Sequence, residues 1–235
     1  MIRATLVYIF IGLYVLILAP PAMFWTLIAK DTRLIYILAR FCFRTAGYAC
    51  RIRVSIEGRE KVAAGKTYLF LSNHQGNFDG PVLSHAIPRN WKALVKKEMM
   101  RLPLLSLVLR QVQFVPVERL NPKQARTAIE EGARLLAEGN SFIAFPEGTR
   151  SRDGRLGEFK KGAFVMAIKA QVPIMPVTII GSAAIQPPGS YAIRSGRIRI
   201  IFHDPIATEG MDLEARNYLI ERTRQVIASG LNAKG

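Results

Sequence analysis

The sequence predicts an α/β fold, a central sheet flanked by helices, behind an N-terminal membrane-embedded helical segment. Three observations carry that expectation. From residue 51 onward, apolar runs of strand length alternate with helix-length segments. Residues 4–29 contain no charged side chain. The 235 residues suit one α/β domain with a small appendage, and half of them are apolar, which excludes a disordered chain.

The N-terminal run is split by Pro20-Pro21. Its first piece, residues 4–19, makes a helix of about 24 Å, against roughly 30 Å of hydrocarbon. It either spans a thinned bilayer or enters one leaflet and turns back at the prolines. A cleaved signal peptide is the alternative, but the run exceeds a signal core and Arg3 is the only charge before it. Lys30, Arg33, Arg40, Arg44, Arg51 and Arg53 follow, with Leu34, Ile35, Ile37, Leu38, Phe41 and Phe43 among them. That mixture fits an interfacial helix facing anionic headgroups, and it places the following domain on the cytoplasmic side of the inner membrane. A helix packed on its own domain fits residues 35–43 equally well. The expected division is an anchor over 1–50 and a catalytic domain over 51–235.

Beyond the anchor each element has its own signal. Residues 51–57 alternate strictly and read as a half-exposed strand, and 68–71 as a buried one. Asp79 as N-cap, with Pro81 in the first turn, opens a helix. Residues 91–95 and 112–117 are further strands separated by a basic helical stretch. Asn121-Pro122 starts a helix that Gly139 closes. Residues 141–145 form a strand, 146–156 a loop, 162–170 a helix, 174–180 and 197–202 strands, and 212–228 the last helix.

Thirty-three Lys and Arg against 17 Asp and Glu leave a net charge of +16. Such a field attracts polyanions: nucleic acid, anionic lipid or phosphorylated substrates. Cys42 and Cys50 form no CxxC pair and read as small apolar residues in a reducing compartment. No G-x-S-x-G, Walker A, G-x-G-x-x-G, zinc-ligand spacing or nucleic-acid-binding motif occurs, so no metal, cofactor or nucleic-acid partner is expected.

Three histidines are present. His85 in a helix and His203 near a strand end read as structural or surface residues. His74 ends a buried strand and stands five residues before Asp79 in Asn73-His74-Gln75-Gly76-Asn77-Phe78-Asp79. On a continuous helix the two would face different sides. Through a Gly-containing turn Asp79 can swing back, fix the imidazole tautomer and stabilise the imidazolium. A second cluster, Phe145-Pro146-Glu147-Gly148-Thr149-Arg150-Ser151, also follows a buried strand. It offers a permissive glycine, hydroxyls and a guanidinium fork suited to phosphate. Lys160 and Lys161 stand at the next helix start, an anion site or simply a solvated surface. A base with an orienting carboxylate and phosphate-binding groups suits direct attack by a substrate hydroxyl, without a covalent enzyme intermediate.

Together these residues resemble the lysophosphatidic acid acyltransferase (glycerolipid acyltransferase) family. His74 and Asp79 match its H-x4-D block, and residues 145–150 match F-P-E-G-T-R without a change. Residues 114–119 (Phe-Val-Pro-Val-Glu-Arg) fit a third block, with Glu118 where Asp is commoner. Residues 172–177 fit V-P-I-x-P-V, and Lys96-Lys97-Glu98 fits a Lys-Lys-Glu stretch. The match is specific over residues 73–177 and thins outside them.

The resemblance implies a mixed central sheet flanked by helices. It implies that His74 deprotonates the free glycerol hydroxyl of 1-acyl-glycerol 3-phosphate for attack on acyl-CoA or acyl-carrier protein, with Asp79 holding His74. It implies that Arg119, Arg150 and Lys96 bind the acceptor phosphate, that Glu147 and Gly148 shape the glycerol site, and that Thr149 lies in the same substrate loop. Partners are then a lysophospholipid, an acyl donor and a membrane surface. Two alternatives remain: transfer to another acceptor (lyso-ornithine lipid, another lysophospholipid or glycerol 3-phosphate), and a basic membrane-binding protein without activity.

Overall fold

The computed structural model describes residues 2–88, 90–118, 120–151 and 155–232. The chain begins with two helices, α1 (Ile2–Ala29) and α2 (Arg33–Ala49). The alternating part follows: β1 (Ile52–Glu57), β2 (Leu69–Ser72), α3 (Asp79–Ala86), β3 (Lys92–Lys96), α4 (Pro103–Gln111), β4 (Val115–Val117), α5 (Pro122–Ala137) and β5 (Phe142–Ala144). It closes with α6 (Gly162–Ala170), β6 (Ile174–Ile180), α7 (Ser182–Ile185), β7 (Gly196–Phe202) and α8 (Arg216–Asn232). The expected α/β class and mixed sheet are both present. The short α7 carries too few residues for a periodic signal, and α8 begins four residues later than the 212–228 reading. There Asp212 accepts from the N–H groups of Glu214 and Ala215 in a turn before the helix starts.

Among the described residues the sheet has seven strands in the order β1-β7-β6-β2-β5-β3-β4. β6, β2, β5, β3 and β4 are mutually parallel, β7 is antiparallel to β6, and β1 is parallel to β7. The order has a direct consequence for the site. From β2 the chain crosses through α3 to β3 on one side, whereas from neighbouring β5 it crosses through α6 to β6 on the other. The carboxyl ends of β2 and β5 therefore flank a topological switch point, where loops diverge and leave a crevice. The loops that follow these two strands carry His74 and Phe145-Pro146-Glu147-Gly148.

Helices cover both faces, which explains why β2, β5 and β6 read as continuous apolar runs whereas the edge strand β1 alternates. Phe70, Met175, Val177 and Ile179 point to the layer holding α3 and the N-terminal helices. Leu69, Leu71, Phe142 and Ile174 point to α5, α6 and α8. The last layer is tight: a Cβ at Gly162 would sit 2.6 Å from Ile129 Cδ1.

α1 departs from expectation. Instead of breaking at Pro20-Pro21, it runs 28 residues as one helix, about 42 Å at 1.5 Å per residue. Packing on both sides of the prolines accounts for this. Ala4, Val7, Ala22 and Thr26 form a buried stripe along its length, and Gln111 Nε2 donates to the Met23 carbonyl at 3.1 Å. The other face leaves Leu6, Leu16, Ile17, Leu27 and Ile28 more than half exposed. The helix is long and apolar enough to cross a membrane. In α2, Arg40 does not face outward. Its guanidinium donates to the carbonyls of Ser84 and Ile87 at the end of α3, where helix carbonyls lack partners.

Candidate active site

Strand β2 ends at Ser72, and the next side chain continues its ladder. Asn73, 1% exposed, donates from Nδ2 to the Ile179 carbonyl and accepts from the Ile179 N–H, both at 2.8 Å. The amide thus copies a backbone strand pair to β6 and fixes the chain direction just before His74. The task of Asn73 is not evident from the sequence. A polar residue closing an apolar strand was the available signal.

Residues 74–78 then turn sharply. A Cβ at Gly76 would lie 2.7 Å from the Ser182 carbonyl oxygen, so this approach needs glycine, and the Asn77 N–H donates to the Gln186 carbonyl at 3.1 Å. Asp79 is the first residue of α3 and does not cap it as expected. The residue before the helix is Phe78, which makes no side-chain cap. The Asp79 carboxylate instead folds back over the turn. Its Oδ2 accepts from the N–H of Gln75 at 2.6 Å and of Gly76 at 2.8 Å, and lies 2.7 Å from His74 Nδ1. Asp79 is fully buried, and the His74 side chain is 21% exposed. A carboxylate at Nδ1 places the proton there and leaves Nε2 with the free lone pair. The imidazole stacks on Phe145 from the other loop, with centroids 4.0 Å apart and planes at 16°.

Glu147 makes two backbone contacts to which nothing in the sequence points. Its Oε1 accepts from the His74 N–H at 2.7 Å and its Oε2 from the Gly157 N–H at 2.9 Å. The Ser151 N–H donates to the His74 carbonyl at 2.8 Å. Glu147 is 7% exposed, and a Cβ at Gly157 would approach Oε2 to 2.9 Å. A sequence shows no partner for an acid lodged between proline and glycine, because the partners lie 73 residues before and 10 after it. Burial pushes the Glu147 carboxyl above its ordinary 4.5, against the pull of the two N–H donors. A raised carboxyl binds its proton more tightly when folded. Its contribution to stability is therefore greatest below 4.5 and falls as pH rises through the raised value. Glu147→Gln would set an NH2 against one of the backbone N–H groups, at a cost of about 1–3 kcal/mol. A drop in Tm of about 2–4 °C per kcal/mol is expected at neutral pH, with a steeper acid limb of the stability curve because the proton that Glu147 takes up no longer offsets acid destabilisation, both measurable by calorimetry.

The remaining described sequence-derived positions gather at the same edge of the sheet. Gly148 adopts φ +73°, and a Cβ there would meet the Lys160 side chain at 3.0 Å. Thr149 and Arg150 are exposed. Thr149 and Ser151 join Glu147, Arg155, Glu158, Lys160 and Lys161 around a cleft of about 840 Å³. Lys96, at the end of β3, is exposed and lies 3.3 Å from Glu98. Its neighbour Lys97 pairs with Glu118 at 3.5 Å and donates to Gln124, joining the ends of β3 and β4. Arg119 lies outside the described residues. His85 and His203 serve elsewhere: burial and nearby arginines, first Arg44, push His85 down, and His203 Nε2 lies 2.8 Å from Thr178 Oγ1.

A second cavity, about 610 Å³ and apolar, lies between the N-terminal helices α1 and α2 and the helices α3 and α4. Tyr14, Leu18, Phe43 and Leu109 line it, and Asn77 and Phe78, from the turn that carries His74, form part of its wall. The His74 turn thus borders the apolar chamber through Asn77 and Phe78, and Glu147 and Ser151, which bond the His74 backbone, line the cleft with Arg155, Lys160 and Lys161. Such a pairing can hold a molecule with an apolar chain and an anionic end.

The chain is similar to known acyltransferases. The family model described as Acyltransferase matches residues 53–180. A chloroplastic 1-acyl-sn-glycerol-3-phosphate acyltransferase of Brassica napus is 36% identical over 174 residues, 72% of this chain and 50% of its own length. Its counterpart in Arabidopsis thaliana is also 36% identical, over 72% of this chain and 49% of its own. This chain therefore spans about half the length of these plant relatives. The crystal structure of the 1-acyl-sn-glycerophosphate acyltransferase PlsC of Thermotoga maritima superposes with a TM-score of 0.84. The superposition covers 98% of this chain and 95% of that one at 23% identity, a likeness of fold.

Proposed function

Since the chain belongs to the acyltransferase family, we propose that it moves a fatty-acyl group from a thioester, acyl-CoA or acyl-carrier protein, to the free hydroxyl of 1-acyl-glycerol 3-phosphate, forming phosphatidic acid for phospholipid synthesis. The observation that carries the reading is the His74–Asp79 pair, 2.7 Å apart at the switch point, in a turn that borders the apolar chamber and is bonded to the wall of the cationic cleft.

In this reading His74 Nε2 takes the hydroxyl proton as the oxygen attacks the thioester carbonyl. The carbon–sulfur bond then breaks, and the imidazolium returns the proton to the departing thiolate. Asp79 steadies the imidazolium. Arg150, Lys96 and Arg119 bind the acceptor phosphate and so set its hydroxyl against the base. Thr149 and Gly148 line the loop around the glycerol, while Glu147 holds the His74 backbone.

The same reading places α1 in a bilayer, with residues 1–50 as anchor and 51–235 as catalytic domain. A helix seated along its length on the domain can enter one leaflet in the membrane plane with the domain beside it. Its exposed apolar face exceeds what a soluble surface leaves uncovered. The site is then at the cytoplasmic face of the inner membrane, where lysolipid and anionic donor meet.

The test is acyl transfer by the purified full chain in mixed micelles. Lysophosphatidic acid is offered beside lyso-ornithine lipid, other lysophospholipids and glycerol 3-phosphate, with acyl-CoA and acyl-carrier protein as donors. Preferred use of lysophosphatidic acid is the expected result. Use of another acceptor would keep the chemistry and change the substrate. No transfer from either donor would sink the proposal.

A further inference from the structure

Strand β3 ends at Lys96 on the edge of the sheet that also bears His74, and a short 3-10 helix (Lys97–Arg101) leads from it into α4. Along this stretch Met99 is 37% exposed, Leu102 58% and Leu107 51%. Arg101 and Arg110 are exposed beside them. The opposite side of α4 is also apolar: Leu105, Val108 and Leu109 line the chamber shared with α1 and α2. A short helix apolar on both sides is either enclosed by protein or set against lipid, and in this structure only one side is enclosed.

We propose that Met99, Leu102 and Leu107 form a second membrane contact beside the active-site edge, and that its partner is an anionic phospholipid surface. The inference rests on the reading of α1 as a bilayer helix and adds to it. Apolar side chains flanked by arginines are the composition of an interfacial segment. The stretch carries one acid, Glu98, and Lys96 stands 3.3 Å from it. The contact is continuous with the anchor, since α4 packs on α1 and Gln111 bonds the Met23 carbonyl. One helix lying in a bilayer leaves the domain free to roll about the helix axis. A second contact off that axis removes the roll and holds the His74 edge towards the lipid, where a lysolipid would enter.

Site-directed spin labels test the proposal on the full chain. Single cysteines replace Leu16, Leu102, Leu107 or Leu213 in a Cys42→Ala/Cys50→Ala background that retains transfer activity. Leu213 is 47% exposed, just before α8 in the opposite layer, and serves as the control. Each label is probed with oxygen and with a water-soluble nickel chelate on vesicles of phosphatidylglycerol and phosphatidylcholine. Labels at Leu102 and Leu107 are expected to behave as that at Leu16 does, with oxygen accessibility several-fold above that at Leu213. If Leu16 enters the lipid while Leu102 and Leu107 match Leu213, the second contact is overturned and the anchor stands. If Leu16 also stays in water, both fall. Equal insertion into phosphatidylcholine alone would overturn the anionic partner.

Discussion

Purified His74→Ala protein is expected to lose acyl transfer by a factor of roughly 10²–10⁴ in kcat, the usual worth of a positioned general base. The KM for lysophosphatidic acid should change little, because the apolar chamber and the cationic cleft do not involve the imidazole. The fold should persist for a stated reason. Asp79 Oδ2 keeps the N–H groups of Gln75 and Gly76 when the ring is removed, so no buried carboxylate is left without donors. The His74 backbone keeps Glu147 and Ser151. The main loss is the stack on Phe145, worth about 0.5–1.5 kcal/mol for an aromatic pair. Steady-state kinetics together with a thermal melt check both halves. Unchanged turnover in a folded variant would remove His74 from the chemistry.

How much of this was legible in the sequence follows the range of each interaction. α6 and β6 fall on the expected residues because their signals are local: glycine at the helix start, a strand run opened by proline. β2 and β5 were equally plain, since a strand covered on both faces has no polar alternation to confuse it. The approach of Asp79 to His74 was readable for the same reason, as five residues with a glycine leave few ways to turn. The order of the strands was not readable. Nothing local states that β5 lies between β2 and β3, yet that insertion creates the switch point. Continuity of α1 through Pro20-Pro21 was also hidden, because it depends on α4 supplying Gln111 and on a stripe of small side chains meeting the domain. Arg40 and Glu147 repeat the lesson. Each is a charged side chain whose partners are backbone groups of distant residues, and backbone groups leave no mark in a sequence.

The Asp79 variants test the carboxylate charge apart from the turn. Oδ2 accepts all three donors, the N–H groups of Gln75 and Gly76 and His74 Nδ1, while Oδ1 has no partner among the described residues. Asp79→Asn can therefore place its carbonyl oxygen where Oδ2 lies and keep those three donors, while its NH2 takes the buried place of Oδ1 and finds no acceptor among the described residues. That unpaired NH2 should cost about 1–3 kcal/mol of stability, and the imidazole should keep its tautomer. What disappears is the negative charge facing the imidazolium as it forms. A charge-assisted bond is about twice as strong as a neutral one, and each 1.36 kcal/mol is tenfold in rate. Doubling a neutral bond of about 1–1.5 kcal/mol sets the expected loss at about tenfold in kcat, with KM nearly constant. Asp79→Ala should be as inactive but also less stable, because two buried N–H groups lose their acceptor at about 1–3 kcal/mol each. Since His74 and Asp79 act as a unit, His74→Ala/Asp79→Asn should be no slower than His74→Ala alone. Additive losses in the double variant would mean that Asp79 serves the reaction by a route other than the imidazole. A folded Asp79→Asn enzyme with full kcat would mean that the carboxylate only builds the turn.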